Sequence, residues 1–316
     1  MLFDIVVVFL GFAFVAKGGD LFVDSSVHIG RVLRVPRIVI GGTLVSLATT
    51  IPELFVSVRA SLAGDTGMAL GNAVGSCICN IGLVVGTVAM IMPISVDRVE
   101  FMKRSLWMLT GCVLVIVFSW DLSLDMRHGV LLLVFAFAYL FWDAFGMASR
   151  RKSTAGGDAD VFDDSDGLLV TLGWFLLGAL LVAIGSELLV SSGKNLAEAL
   201  GVSSPIIGFS VIAVGTSLPE LVTGISSARK GVPDLSLGNI IGANVLNLFL
   251  IVGASTSISP LVLDSSIQQY AFPWLILFFV TLVGVVMKTG AVRRAAGMGL
   301  LTMFVLYAIG LFALPS

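Results

Sequence analysis

Charge is what this chain has least of. Only 12% of its 316 residues are Asp, Glu, Lys or Arg, against 57% hydrophobic, and the mean hydropathy is +1.06. Soluble domains carry roughly 25% charged residues. A soluble protein this apolar could not cover its surface, so lipid has to be its solvent. The net charge of −2 points to no partner class, and no basic patch suggests nucleic acid. Histidine is also scarce: His28 and His128 fall in or near expected loops with no partner pattern and read as surface residues. The three cysteines, Cys77, Cys79 and Cys112, lie in apolar segments and read as buried free thiols. Cys77 and Cys79, two apart, face different sides of a helix, and a metal site made from them would lack His or further Cys partners. The opening Met1-Leu2-Phe3-Asp4 has neither the basic region nor the small-residue cleavage site of a signal peptide. The apolar run behind it is expected to be a first transmembrane helix.

What the chain has in quantity is apolar runs long enough to cross a bilayer, about 17–25 residues each. They lie near 3–22, 38–60, 68–92, 105–120, 128–146, 167–192, 205–228, 236–258, 270–287 and 295–313. The expected fold is an all-α polytopic membrane protein of ten transmembrane helices, five in residues 1–148 and five in 167–316. The polar stretch 149–166, from Arg150-Arg151-Lys152 through Asp158-Ala159-Asp160 to Asp163-Asp164, reads as a flexible solvated linker and not as an acidic calcium site.

The two halves repeat one another. LATTIPELFVS at 47–57 answers VGTSLPELVTG at 214–224, and LGNAVGSCICN at 70–80 answers LGNIIGANVLN at 237–247, both displaced by 167 positions. In the same register Gly18 meets Gly185, Asp20 meets Glu187, Pro93 meets Pro260 and Asp97 meets Asp264. Five spans per repeat, an odd number, make the second half enter the membrane from the opposite side. Loop charge agrees. With the N-terminus outside, the inner loops hold 14 of the 18 basic residues: Arg31, Arg34, Arg37, Arg98, Lys103, Arg104, Arg150, Arg151, Lys152, Arg229, Lys230, Lys288, Arg293 and Arg294. The positive-inside rule then places both termini outside. Inverted repeats are typical of secondary transporters, which bind substrate near the bilayer midplane.

Each copy of the motif sets a Pro-Glu pair in an apolar span. An ionisable residue there is expensive and marks a functional site by default, so Glu53 and Glu220 are expected to share one. Thr49 lies one turn from Glu53 on the same face, with Thr216 its equivalent. Pro52 and Pro219 lack a backbone N–H and free a carbonyl near Ala48 and near Gly215. Ser76 and Asn80 on the third span, and Asn247 on the eighth, add neutral oxygens, while Ala243 stands in place of Ser76. Asn72 and Asn239 fit interhelical hydrogen bonding and ion lining equally. Asp20 and Glu187 are placed near helix ends, snorkelling or bonding to neighbours. Carboxylate, hydroxyl and carbonyl oxygens are hard ligands, and Ca2+ takes about six to eight of them. Two glutamates carry −2, which one divalent or two monovalent cations neutralise.

These motifs resemble the two alpha repeats of the cation/calcium exchanger superfamily over essentially the whole chain, most strongly over 36–92 and 203–260. Thr-Thr-Ile-Pro-Glu at 49–53 and Thr-Ser-Leu-Pro-Glu at 216–220 resemble the prokaryotic sodium/calcium branch. The resemblance implies Glu53 and Glu220 as shared ligands of Ca2+ and Na+. It implies Thr49 and Thr216 as calcium ligands and Ser46 and Ala213 as carbonyl donors to sodium, with Ser76 and Asn80 lining the site. Thr50, Ser217 and Asn247 complete the candidate set. It further implies that helices 1 and 6 slide against the other eight. Two departures bear on sodium: Ala243 removes a hydroxyl, and Asn247 stands where several relatives carry Asp, which weighs against potassium co-transport. The linker is too short for the regulatory domain of the eukaryotic members.

The expected function is therefore an inner- or plasma-membrane antiporter exchanging Na+ for Ca2+ by alternating access. Its partners would be the lipid bilayer and the transported ions, with no cofactor and no obligatory protein partner. A proton-coupled or other divalent-cation exchanger is the alternative. An intramembrane hydrolase would need a nucleophile with a base, and no His lies in either motif. A non-transporting scaffold would leave the duplicated buried carboxylates unexplained.

Overall fold

The computed structural model of the protein describes residues 2–33, 35–64, 66–153, 167–199, 213–263 and 267–312. Its helices are α1 (Leu2–Leu33), α2 (Arg37–Leu62), α3 (Thr66–Ile91), α4 (Arg98–Phe118), α5 (Met126–Ser153) and α6 (Leu168–Ala199). A single helical turn, Ala213–Thr216, precedes α7 (Leu218–Arg229), and α8 (Pro233–Ile258), α9 (Phe272–Thr289) and α10 (Arg294–Phe312) follow. Among the described residues nine helices are long and apolar enough to cross a membrane; the exception is α7, with 12 residues. Linker residues 154–166, residues 200–212 of the loop and expected seventh span, and Asp264 lie outside the described residues.

Three boundaries differ from the sequence reading, each for a physical reason. Helix α1 runs on to Leu33 instead of stopping near residue 22, which puts Asp20 well inside a helix. Its carboxylate accepts from Ser226 Oγ at 2.8 Å, and Lys230 Nζ reaches Asp24 Oδ1 at 2.7 Å. Polar partners on another helix let the charges stay on the span. Glu187 likewise lies within α6, and exposed. Helix α4 starts at Arg98, seven residues before the expected 105. The Asp97 side chain accepts from Glu100 N at 2.8 Å as an N-cap, so Arg98, Lys103 and Arg104 are helical, not loop, residues. Helix α5 runs to Ser153, into the stretch expected as linker. His28 sits half-buried on α1, and His128, three residues into α5, is half-buried and stacks on Phe118 with centroids 4.7 Å apart. The three thiols are free and buried, as read.

Helix α8 forms the centre of the molecule; 94% of its apolar window is buried, against 28% for α1, α5 and α6. Those three turn large side chains such as Phe9, Phe141 and Leu169 outward, a surface that suits lipid. Small residues bring backbones together at two crossings. A Cβ on Gly18 would stand 2.9 Å from Gly178 O on α6, and one on Gly185 would stand 2.8 Å from Gly11 O on α1. Where α2 crosses α8, a Cβ on Gly238 would fall 2.2 Å from Ile38 O, so no other residue fits.

The all-α reading omits four two-residue strands in the connections. β1 (Ile94–Ser95), after α3, pairs antiparallel with β4 (Ala291–Val292), before α10. β2 (Ser123–Leu124), before α5, pairs antiparallel with β3 (Leu261–Val262), which follows α8. Each ribbon joins one half of the chain to the other.

Candidate cation site

The two Pro-Glu segments fold differently. Pro52 sits inside an unbroken helix, Ser46–Leu62, whereas the second copy breaks at Ser217 (φ −91°, ψ 8°) and Pro219 falls in the first turn of α7. A proline costs little in a first turn, where its missing N–H would have no intrahelical partner, and more inside a helix. The second motif is symmetric by contrast. Asn80 and Asn247, 167 apart, each open a π-helical turn, Asn80–Val85 in α3 and Asn247–Ile251 in α8. Such turns widen the helix locally and recur at functional sites. A third, Gly41–Val45, lies in α2 one turn before the Pro-Glu segment.

These elements converge on Glu53 and Glu220, each 1% exposed. The buried oxygens here that no donor among the described residues satisfies are Glu53 Oε1 and Oε2, Glu220 Oε2, Thr50 Oγ1, Ser217 Oγ, Ser76 Oγ, Asn80 Oδ1 and Asn247 Oδ1. Buried acceptors without donors are rare and unfavourable, and a cation is the partner that satisfies several at once. Among the described residues no group of three or more His, Cys, Asp or Glu comes together. The donor set is therefore hard oxygen with two charges, suited to Ca2+ or Na+ and not to a thiolate- or imidazole-seeking metal.

Asn72 and Asn239 act between the repeats. Thr49 Oγ1 donates to Asn239 Oδ1 at 3.2 Å, and Thr216 Oγ1 donates to Asn72 Oδ1 at 3.3 Å. Asn72 Nδ2 donates to Ser57 Oγ at 2.9 Å and to the Glu53 carbonyl at 3.3 Å. Each asparagine thus holds the motif threonine of the other half.

The sequence pattern of the family described as sodium/calcium exchanger protein matches this chain twice, over residues 3–145 and 170–313. The chain belongs to the sodium/calcium exchanger family. The exchanger is 31% identical to the sodium/calcium exchanger MaX1 of Methanosarcina acetivorans over 98% of both chains. It is 31% identical to the inner membrane protein YrbG of Escherichia coli over 82% of this chain and 81% of that one. Its fold superposes on the sodium-calcium exchanger NCX_Mj, soaked with 2.5 mM Na+ and 0.1 mM Ca2+, with a TM-score of 0.83, 29% identity and full coverage of both chains.

Of the residues singled out from the exchanger's sequence, Glu53, Glu220, Thr50, Ser217, Ser76, Asn80 and Asn247 present the open oxygens. Thr49 and Thr216 are engaged with asparagines, and Ser46 Oγ donates to Thr43 O at 3.0 Å. Ala213 begins the turn before Ser217, where only its backbone is described.

Sequence reasoning missed two features of the exchanger. Asn244 and Cys77, both within the quoted motifs, meet at the α3–α8 crossing. The second feature is a buried ion cluster. Arg104 is 1% exposed; its Nε donates to Glu100 Oε1 at 3.3 Å, its Nη2 pairs with Asp143 Oδ1, and its Nη1 donates to Tyr139 Oη at 3.5 Å. Tyr139 Oη donates in turn to the Gly42 carbonyl at 2.8 Å, within the π-turn of α2. A cavity of about 360 Å³ opens beside the cluster, lined in part by Lys103 and Trp142. The available signal was Asp143, an acid inside the apolar run 128–146.

Proposed function

We propose that the protein exchanges Na+ for Ca2+ across a cytoplasmic membrane at one site, shared by two inverted five-helix repeats with the domain limits 1–148 and 167–316. The observation that carries this reading is the set of buried, donorless oxygens that includes both glutamate carboxylates. A site of charge −2 in low dielectric is unfavourable when bare. One Ca2+ or more than one Na+ neutralises it, so the occupied forms can reorient while the bare form cannot. Exchange follows from that difference. Glu53 and Glu220 serve both ions, while the neutral oxygens of Thr50, Ser217, Ser76, Asn80 and Asn247, with the Ser46 and Ala213 carbonyls, divide between the ions. Thr49 and Thr216 stand beside the carboxylates, with Asn72 and Asn239 orienting them.

Support for the inverted architecture comes from contacts that obey the displacement of 167. Thr49–Asn239 and Asn72–Thr216 are the same contact with the halves exchanged. Gly11 packs on Gly185 and Gly18 on Gly178, again an exchanged pair. Cys77 touches Asn244, its own equivalent. The strand ribbons bear on the number of crossings. β2 and β3 lie on one face of the membrane, with α5, α6 and α8 between them, each of bilayer length. An even number of crossings is needed, so the segment that contains α7 supplies a fourth. Ten crossings put the chain ends on one side. With Arg104 removed from the loop count because it is buried, the remaining basic residues still favour the opposite face as cytoplasmic.

Two buried carboxylates with no basic partner among the described residues can take up protons as well as cations, so proton coupling is the second reading. Proteoliposomes with an imposed Na+ gradient separate the two, with calcium flux measured with and without K+ and under a pH gradient. Na+-driven flux, insensitive to K+, is expected; flux indifferent to Na+ and driven by protons would overturn the sodium assignment.

A further inference from the structure

At the α3–α8 crossing each repeat contributes one residue, Cys77 and Asn244, and the two contact one another. A residue that touches its own repeat equivalent lies on the axis relating the repeats, beside the site. Asn244 Nδ2 donates to the Cys77 carbonyl at 3.4 Å, and Cys77 Sγ donates to the Asn244 carbonyl at 3.8 Å. Asn80 Nδ2 donates to Asn244 Oδ1 at 3.0 Å. Asn244 is fully buried, with Met108 Sδ 3.9 Å from the same nitrogen.

The two ends of an asparagine amide differ chemically, and hydrogen bonds decide which way it points. Here the decision starts from a group with no choice. A backbone carbonyl only accepts, so Asn244 must turn its NH2 toward Cys77. Its oxygen then faces Asn80, which must answer with its own NH2. Asn80 Oδ1 is left pointing away without a donor. An amide turned the other way would present N–H groups to a cation, reversing the sign of its contribution.

We infer that Asn244 is a positioning residue of the cation site, holding the Asn80 amide with its oxygen toward the ion. The inference rests on the exchange function proposed above.

The test is a double-mutant cycle on the full chain, read as the Ca2+ KM of Na+-driven flux in proteoliposomes and as Ca2+-induced thermal stabilisation of the purified protein. Asn244→Ala should raise the Ca2+ KM about fivefold, the effect of losing one hydrogen bond, with maximal rate within about twofold. Asn80→Ala should do at least as much. The double variant should be no worse than Asn80→Ala alone, since both act through one oxygen. If Asn244→Ala does not fold, Asn244→Thr against Asn244→Val gives the same comparison, two side chains of similar shape differing by a hydroxyl. Independent, multiplying effects of the Asn80 and Asn244 changes, or equal KM for the Thr and Val variants, would overturn the inference. Wild-type vesicles without Na+-driven flux would instead sink the exchange reading. The cycle would then be decided on thermal stabilisation by Ca2+, and no stabilisation of the wild type would overturn both.

Discussion

Replacing Asp143 with alanine removes one of the two carboxylates that hold Arg104. The guanidinium is 1% exposed and keeps Glu100 at 3.3 Å, with Tyr139 at 3.5 Å. Breaking a buried ion pair from one side typically costs about 3–5 kcal/mol, because the remaining charge is left uncompensated. The adjoining cavity of about 360 Å³ gives water a route to the cluster, so the lower end, ~3 kcal/mol, is the expected loss. Lys103 lines the same cavity but is exposed; Lys103→Ala should stay within about 0.5 kcal/mol of wild type. Trp142 lies 5.9 Å from the guanidinium and contributes to the tryptophan fluorescence that follows denaturant unfolding in micelles. Replacing Arg104, Glu100 and Asp143 together with apolar residues of similar volume should recover most of the loss. Tyr139→Phe should cost about 1–3 kcal/mol, since it strands the Gly42 carbonyl in a buried π-turn. An Asp143→Ala protein less than about 1 kcal/mol below wild type would mean that the cluster is solvated, and the reasoning from burial would fall.

Glu53→Gln and Glu220→Gln should each abolish calcium flux while the protein still folds, because an amide keeps the shape and removes the charge; wild-type flux in either would dissolve the shared site. Ala243→Ser restores the hydroxyl that Ser76 supplies in the first half, and Asn247→Asp adds a third carboxylate. Both should shift the Na+ dependence of exchange, and an unchanged Na+ titration in both would place these positions off the ion path.

Much of the fold was legible because lipid imposes a simple rule on length and polarity, and the spans follow it closely from Arg37 to Ile91 and from Pro233 to Ile258. Reading failed where a charge was satisfied by a distant partner. Asp20 looked like the end of a helix because Lys230 and Ser226 are more than 200 positions away. Arg104 looked like a loop charge because nothing local marks Asp143 and Tyr139 as its partners. The glutamates were readable from one copy of the motif set beside the other. The exchanged bonds of Asn72 and Asn239 were not, since they depend on how two halves dock. Pro52 and Pro219 share a sequence context, yet one lies within a continuous helix and the other starts a new one. Local sequence does not carry that difference.

The two short ribbons, β1 with β4 and β2 with β3, have a mechanical meaning. They staple the connection after α3 to the one before α10, and the connection before α5 to the one after α8, fastening the halves at two separate points. The helices flanking these staples form a braced chassis that includes α3 and α8, the pair that carries Asn80 and Asn247. Helices α1 and α6 border no ribbon, and they meet each other through bare glycine surfaces. Bracing of this kind ties α3 and α8, with Asn80 and Asn247 on them, into one unit, and leaves α1, α2, α6 and α7 as the helices that no strand pairing fastens.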